Sequence, residues 1–185
     1  MDELLQRCKE KDKEAWGLLF EKYHRQIYQT ALIFAGNRTL AEDITQEAFI
    51  RAVTKINLFS PCCSFEAWLY RTVVNVARNM IRSHKWTSLF QSFRKGPLNA
   101  RDTYDPFAVL EEDEQKKILR AIISELPYKV GEVIVLKYFN GFSQEEVAAI
   151  LGIPVGTVKS RINTGLNKMR QKIKVHPPIE EVLKL

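Results

Sequence analysis

The residues in this chain best suited to chemistry lie between Ser143 and Lys174, and the chemistry they suit is hydrogen bonding to nucleic acid. Ser143-Gln-Glu-Glu146 has the capping-box form, in which hydroxyl and carboxylate satisfy reciprocal backbone N–H groups. It opens a short helix bearing Val147, Ala148, Ile150 and Leu151. Gly152 falls where a tight turn between two helices needs left-handed dihedrals, and Pro154 suits the first turn of the next helix. That helix has Val158, Ile162, Leu166, Met169 and Ile173 to bury, which leaves Thr157, Lys159, Ser160, Arg161 and Asn163 for its outer surface. A small Ala148 where two helices cross, followed four residues later by the turn glycine, is the helix-turn-helix arrangement. Its second helix enters the DNA major groove with N-terminal side chains near base edges. Lys168, Arg170, Lys172 and Lys174 contact phosphates or face solvent, and they supply affinity without direct sequence information. A plain helical hairpin is the competing reading, disfavoured by an outer face that is uncharged or basic. Taken alone, the motif leaves repressors, response regulators and recombinases open.

Bond-making chemistry has no comparable signature. No Gly-rich phosphate loop, paired-carboxylate site or nucleophile with its base is identifiable, so no catalytic residue and no cofactor is expected. His24, His84 and His176 are scattered and read as surface residues. The three cysteines, Cys8, Cys62 and Cys63, lack the spacing of a zinc or redox site, and an odd count argues against a disulfide framework. No metal and no small-molecule substrate is expected.

The elements that position these residues read as helices throughout, with two small all-α domains as the expected fold class. Trp16, Leu19, Tyr23, Ile27 and Ala31 recur at steps of three and four on one face, until Ala35-Gly-Asn37 breaks the pattern. Thr39-Leu-Ala-Glu42 then has the form of a capping box, opening a helix with Ile44, Ala48, Ala52 and Ile56. After the interruption at Asn57–Cys63, the face Phe65, Trp68, Leu69, Thr72, Val73, Val76 and Met80 resumes the helical period. Its β-branched Thr72–Val76 stretch lowers helix propensity and favours a bend or loop near Asn75. From Trp86 to Ala108 periodicity disappears among serines, Gly96, Pro97 and Pro106, which predicts a linker. A helix follows from about Val109 to Leu126, with Ile118, Leu119, Ile122 and Leu126 inward, and Pro127 ends it. Val130–Phe139 suits a buried strand or a helix; with no partner strands evident, helix is preferred. The expected division is a first domain over 1–86, a linker over 87–108, a second domain over 109–175 and a tail over 176–185.

Net charge is +6, and its distribution says more than its size. Acidic residues are absent from Ala67 to Arg101 and again from Val147 to Ile179, while both stretches hold six or more lysines and arginines. Two separate basic surfaces are expected, with ordinary solvated helix faces as the plainer alternative. The opening Met1-Asp2-Glu3 does not resemble a signal peptide, and apolar runs such as Ala31–Ala35 fall far short of a membrane span, so a cytoplasmic protein is expected.

Three motifs occur together: Ala41-Glu-Asp-Ile-Thr-Gln-Glu-Ala-Phe-Ile-Arg-Ala52, Phe65-Glu-Ala-Trp-Leu-Tyr-Arg71, and Ile153-Pro-Val-Gly-Thr-Val-Lys-Ser-Arg-Ile162. In order and spacing the chain, from about Asp12 to Ile173, closely resembles the extracytoplasmic-function sigma factors of bacterial RNA polymerase. The resemblance implies a first domain like sigma region two, which binds the polymerase clamp helices and melts the −10 promoter element. It implies a second domain like region four, which reads the −35 element and touches the polymerase flap. Asp43, Gln46, Glu47 and Phe49 match the family's docking motif, with Arg51 nearby to pair with an acid. Phe49 reads better as a core residue, and the plainer view of Glu47 is a solvated one. Asn75 stands where relatives contact a flipped −10 base, followed by Arg78, Asn79, Arg82 and Lys85 for phosphates or neighbouring bases. Trp68 and Tyr70 are able to stack on bases, though Trp68 at helical spacing reads better as core. On the recognition helix, Asn163-Thr164 stands where relatives commonly have a bulky or basic residue, so −35 contact rests more on Lys159, Ser160 and Arg161, with Thr157 and Lys168 beside them. Core polymerase, promoter DNA and a cognate anti-sigma protein are the implied partners. A dimeric helix-turn-helix regulator on a palindromic operator is the alternative.

Overall fold

The computed structural model describes residues 2–60, 63–94 and 122–173, with residues 84–94 as helical backbone alone. The described residues are helices joined by turns, in two compact units whose main division falls between Gly96 and Pro97.

The first unit opens with α1 (Asp2–Lys9), which buries Leu5 and Cys8. A tight turn through Lys11, at φ 66°, leads to Asp12, whose Oδ1 accepts hydrogen bonds from the backbone N–H of Glu14 (2.9 Å) and Ala15 (3.3 Å). Asp12 thereby caps α2 (Lys13–Ala35). Helix α2 buries Ala15, Leu19, Tyr23, Ile27 and Ala31, the expected face with Ala15 fully covered and Trp16 only half-buried. The Trp16 indole N–H donates to the Cys8 carbonyl at 3.1 Å, which ties α1 to α2.

Gly36, at φ 71°, ends α2 by donating to the Leu32 carbonyl. Helix α3 (Arg38–Lys55) then begins at once, because the Asn37 side chain accepts from Leu40 N–H at 2.8 Å. The expected capping box at Thr39 is therefore displaced: asparagine caps as well as a hydroxyl residue and stands two positions earlier. Ala41, Ile44, Ala48 and Ala52 are fully buried, and the three small alanines let α3 lie close to α2 and α4.

Ser64 accepts from Ala67 N–H and starts α4 (Phe65–Arg94). This helix runs unbroken through Asn75, contrary to the expected bend. Leu69, Tyr70, Val73, Val74, Val76 and Ala77 are all buried, and burial of each large side chain stabilises by about 1.5–3 kcal/mol against a propensity cost of a few tenths per β-branched residue. It also continues eight residues into the segment expected as linker, since the first helix breakers are Gly96 and Pro97. The rest of that segment, the expected helix from Val109 through residue 121, and the tail lie outside the described residues.

In the second unit, residues 122–124 are helical and precede Pro127, after which α5 (Tyr128–Ile134) begins. Every residue from Val130 to Leu136 is buried, which is why periodicity could not separate helix from strand there. A wider π-helical turn, Val135–Phe139, ends on Asn140 N–H donating to the Val135 carbonyl, and Gly141 at φ 78° redirects the chain. Helix α6 (Gln144–Leu151), the turn at Gly152 (φ 66°) and α7 (Val155–Ile173) complete the unit.

Candidate nucleic-acid interface

Helices α6 and α7 form the expected helix-turn-helix. The capping box closes both ways: Ser143 N–H donates to Glu146 Oε2 at 2.8 Å, and Glu146 N–H donates to Ser143 Oγ at 3.1 Å. Gly152 carries the turn, and Ile153 N–H returns to the Ala148 carbonyl at 3.1 Å. Val158, Ile162 and Met169 are buried, which rolls Lys159, Ser160, Asn163, Thr164 and Lys168 into solvent and leaves Thr157 half-buried. The Ser160 hydroxyl donates to the Thr157 carbonyl at 3.0 Å, and the Thr164 hydroxyl donates to the Ser160 carbonyl at 2.9 Å. With their protons committed to the helix, both hydroxyls present lone pairs, which suits amino-group donors on base edges.

Arg161 departs from the expected outer surface. Its side chain is 20% exposed, with Nη1 3.5 Å from Oε1 of Glu132 on α5, a carboxylate only 1% exposed. Burial of that carboxylate draws the guanidinium inward. One turn on, Gly165 is buried, and a Cβ built there would lie 2.7 Å from Ile134 and 3.1 Å from Val130. Neither Glu132 nor Gly165 was singled out from sequence. The signals were available: one acid inside an apolar run, and a glycine on the inner stripe of an otherwise good helix.

Along α4, Arg71, Asn75, Asn79 and Arg82 are exposed and Arg78 is half-buried. Their spacing of three and four places them along one face, about 16 Å from first to last at 1.5 Å per residue. The backbone at Lys85 continues the helix, and its side chain lies outside the described ones. Tyr70, considered for base stacking, is 1% exposed and therefore core. Trp68 packs against Phe59 and Phe65, each with ring centroids 5.7 Å away.

On α3, Asp43 and Gln46 are exposed while Arg51 Nε pairs with Glu47 Oε1 at 2.6 Å within the same helix. Phe49 is buried, its ring 4.8 Å from that of Phe20 on α2. Between these helices runs a groove of about 640 Å³ lined by Phe20, His24, Gln46, Phe49, Ile50 and Val53, among others. Phe20, Ile50 and Val53 are each 44–49% exposed, so the groove shows solvent an apolar floor. Sequence reasoning missed it; the clue was α3 having apolar residues on two sides of the helix.

Comparison with known proteins fits this two-unit, DNA-reading architecture. Residues 19–87 match the family model described as Sigma-70 region 2, and residues 116–169 match Sigma-70, region 4. The chain is 36% identical over 177 residues to the ECF RNA polymerase sigma factor SigW of Bacillus subtilis, covering 92% of this chain and 95% of that protein. It is 31% identical to the RNA polymerase sigma-H factor of Pseudomonas aeruginosa, covering 86% of each. Among solved structures it superposes on CnrH, determined in complex with the cytosolic domain of CnrY, with a TM-score of 0.70 and 25% identity over 94% of this chain and 96% of that one. The chain belongs to the extracytoplasmic-function sigma factors, transcription initiation factors of the sigma-70 family. A dimeric operator-binding regulator is set aside, since that alternative accounts for the second unit and not for the first. No helix among the described residues is long and apolar enough to cross a membrane.

Proposed function

We propose that this cytoplasmic protein is not itself a catalyst and acts by directing core RNA polymerase to promoters through three separate surfaces. The observation carrying the reading is the α4 strip: Arg71, Asn75, Asn79 and Arg82 stand exposed on one helix face in a stretch without acids. Asn75 offers an amide to a base leaving the −10 stack, while Arg78, Arg82 and Lys85 follow the phosphates. Lys159, Ser160, Asn163 and Thr164 read the −35 element, with Thr157 and Lys168 at the edge of the contact. Gln46 lines the groove floored by Phe49, Asp43 and the Glu47–Arg51 pair stand on the same helix outside it, and an amphipathic helix of the polymerase clamp docks there by laying its apolar side in the groove. An anti-sigma protein holds the factor inactive by covering such surfaces, as suggested by CnrH being solved with CnrY.

One recognition helix supplies few base contacts, each discriminating by about 1–3 kcal/mol, which is weak against a genome of competing sites. Two modules held at fixed spacing by polymerase gain effective concentration without new contacts. Free protein is therefore expected to bind promoter duplex poorly and to gain specificity in holoenzyme. Titration of a promoter fragment with the protein alone and with core enzyme tests this; a salt-resistant, sequence-specific complex of the protein alone contradicts it. The Asn75→Ala variant should lose −10 opening, read by permanganate reactivity of unpaired thymines, while retaining core binding. Equal loss of both refutes the role given to Asn75.

A further inference from the structure

We propose that Glu132 is a positioning residue for −35 recognition, acting through Arg161, and that Arg161 is an internal strut of the recognition helix, not a reader of bases. This rests on α7 being the −35 recognition helix. Glu132 sits in a run where every residue from Val130 to Leu136 is buried, and its carboxylate is 1% exposed beside the Arg161 guanidinium. A buried carboxylate persists only when paired, yet a well-packed apolar pair of similar volume commonly stabilises as well or better. What an ion pair adds is direction.

The placement of the pair shows what direction it sets. Gly165, one turn beyond Arg161, brings α7 against Ile134 and Val130 and fixes the distance between the helices. The Glu132–Arg161 pair, on the preceding turn, fixes the roll of α7 about its own axis. Side-chain tips on a helix lie about 5–6 Å from its axis, so a roll of about 20° displaces them by about 2 Å. Hydrogen bonds to base edges tolerate only a few tenths of an ångström around 2.7–3.2 Å. Roll therefore decides whether Lys159, Ser160, Asn163 and Thr164 meet their bases together, whereas contacts to phosphates survive it.

The test uses full-length protein with core RNA polymerase on a promoter fragment recovered by run-off transcription, and on single-base variants of its −35 element. Affinity is measured across a salt series for wild type, Glu132→Gln, Arg161→Met, the double variant and Lys168→Ala, with circular dichroism confirming the fold of each. Wild type should discriminate between best and worst −35 base by at least about tenfold. In Glu132→Gln, Arg161→Met and the double variant alike this should fall below about threefold, with the salt slope unchanged. The Arg161→Lys variant should recover part of it, and is read in place of Glu132→Gln if that variant melts below the assay temperature. Lys168→Ala, at an exposed phosphate-contacting position on the same helix, should instead lower the salt slope by about one. The proposal is overturned if Arg161→Met lowers the slope itself, or relaxes preference at one base while Glu132→Gln does not, or if neither changes discrimination. Failure of the underlying reading looks different: wild type would show no −35 preference, and Lys168→Ala would leave the slope unchanged.

Discussion

Helices α4 and α7 each show solvent a strip of cations and polar side chains in an acid-free stretch, yet they are held in different ways. Helix α4 is fixed by bulk, with Leu69, Tyr70, Val73, Val74, Val76 and Ala77 all buried along it. Helix α7 is seated by a missing side chain at Gly165 and by an ion pair to Glu132, besides Val158, Ile162 and Met169. A strip that mostly tracks a phosphate backbone, with Asn75 meeting a base free to swing out of the stack, tolerates small shifts of its helix, because charge acts over several ångströms. A strip that reads base edges does not. The difference in packing thus parallels the different tasks proposed for the two helices.

That contrast can be broken by substitution. Trp16, Trp68 and Trp86 all precede residue 96, so tryptophan fluorescence reports the first unit, while far-ultraviolet circular dichroism reports both. Leu69→Ala in the core of α4 should destabilise by about 2–5 kcal/mol and move the fluorescence midpoint in urea unfolding. Gly165→Val should cost about 1–3 kcal/mol by overpacking against Ile134, shifting the dichroism transition while the fluorescence midpoint stays in place. Loss of fluorescence stability in Gly165→Val would show that the two units do not unfold separately. Asn37→Ala should cost about 1 kcal/mol and Thr39→Ala under about 0.5 kcal/mol, read by the same fluorescence. The reverse ranking would restore the cap to Thr39.

The smallest effect is expected at Asp12. The Arg7 side-chain hydrogen bond, then the backbone N–H groups of the α2 N-terminus, hold its carboxyl below the usual carboxylate range. A depressed folded value means the contribution is present above the unfolded value near 3.9 and is lost as pH falls through the folded one. Hydrogen exchange in the first turn of α2 should therefore accelerate in acid below about pH 4, and Asp12→Asn should flatten that dependence.

Much of this was legible in the sequence, and the exceptions share a cause. The helical faces, the Ser143–Glu146 box and the Gly152 turn depend on residues near one another in the chain, and local chemistry specified them. The bend expected at Asn75 did not occur because Val73, Val74 and Val76 are fully buried in a helix that packs on α2 and α3, a tertiary gain that propensity does not include. Asn37 took the cap from Thr39 because Gly36 ends α2 immediately before it. The apolar groove between α2 and α3, the Gly165 seat and the Glu132–Arg161 pair each join residues from different helices. Their members were visible singly; their meeting was not.

The central claim is that this chain makes polymerase start transcription at promoters it selects. Run-off transcription with purified core enzyme on genomic fragments tests it most directly. Discrete RNA products should appear only when the protein is added, and should vanish with Asn75→Ala although core binding persists. An identical set of transcripts with and without the protein would contradict it.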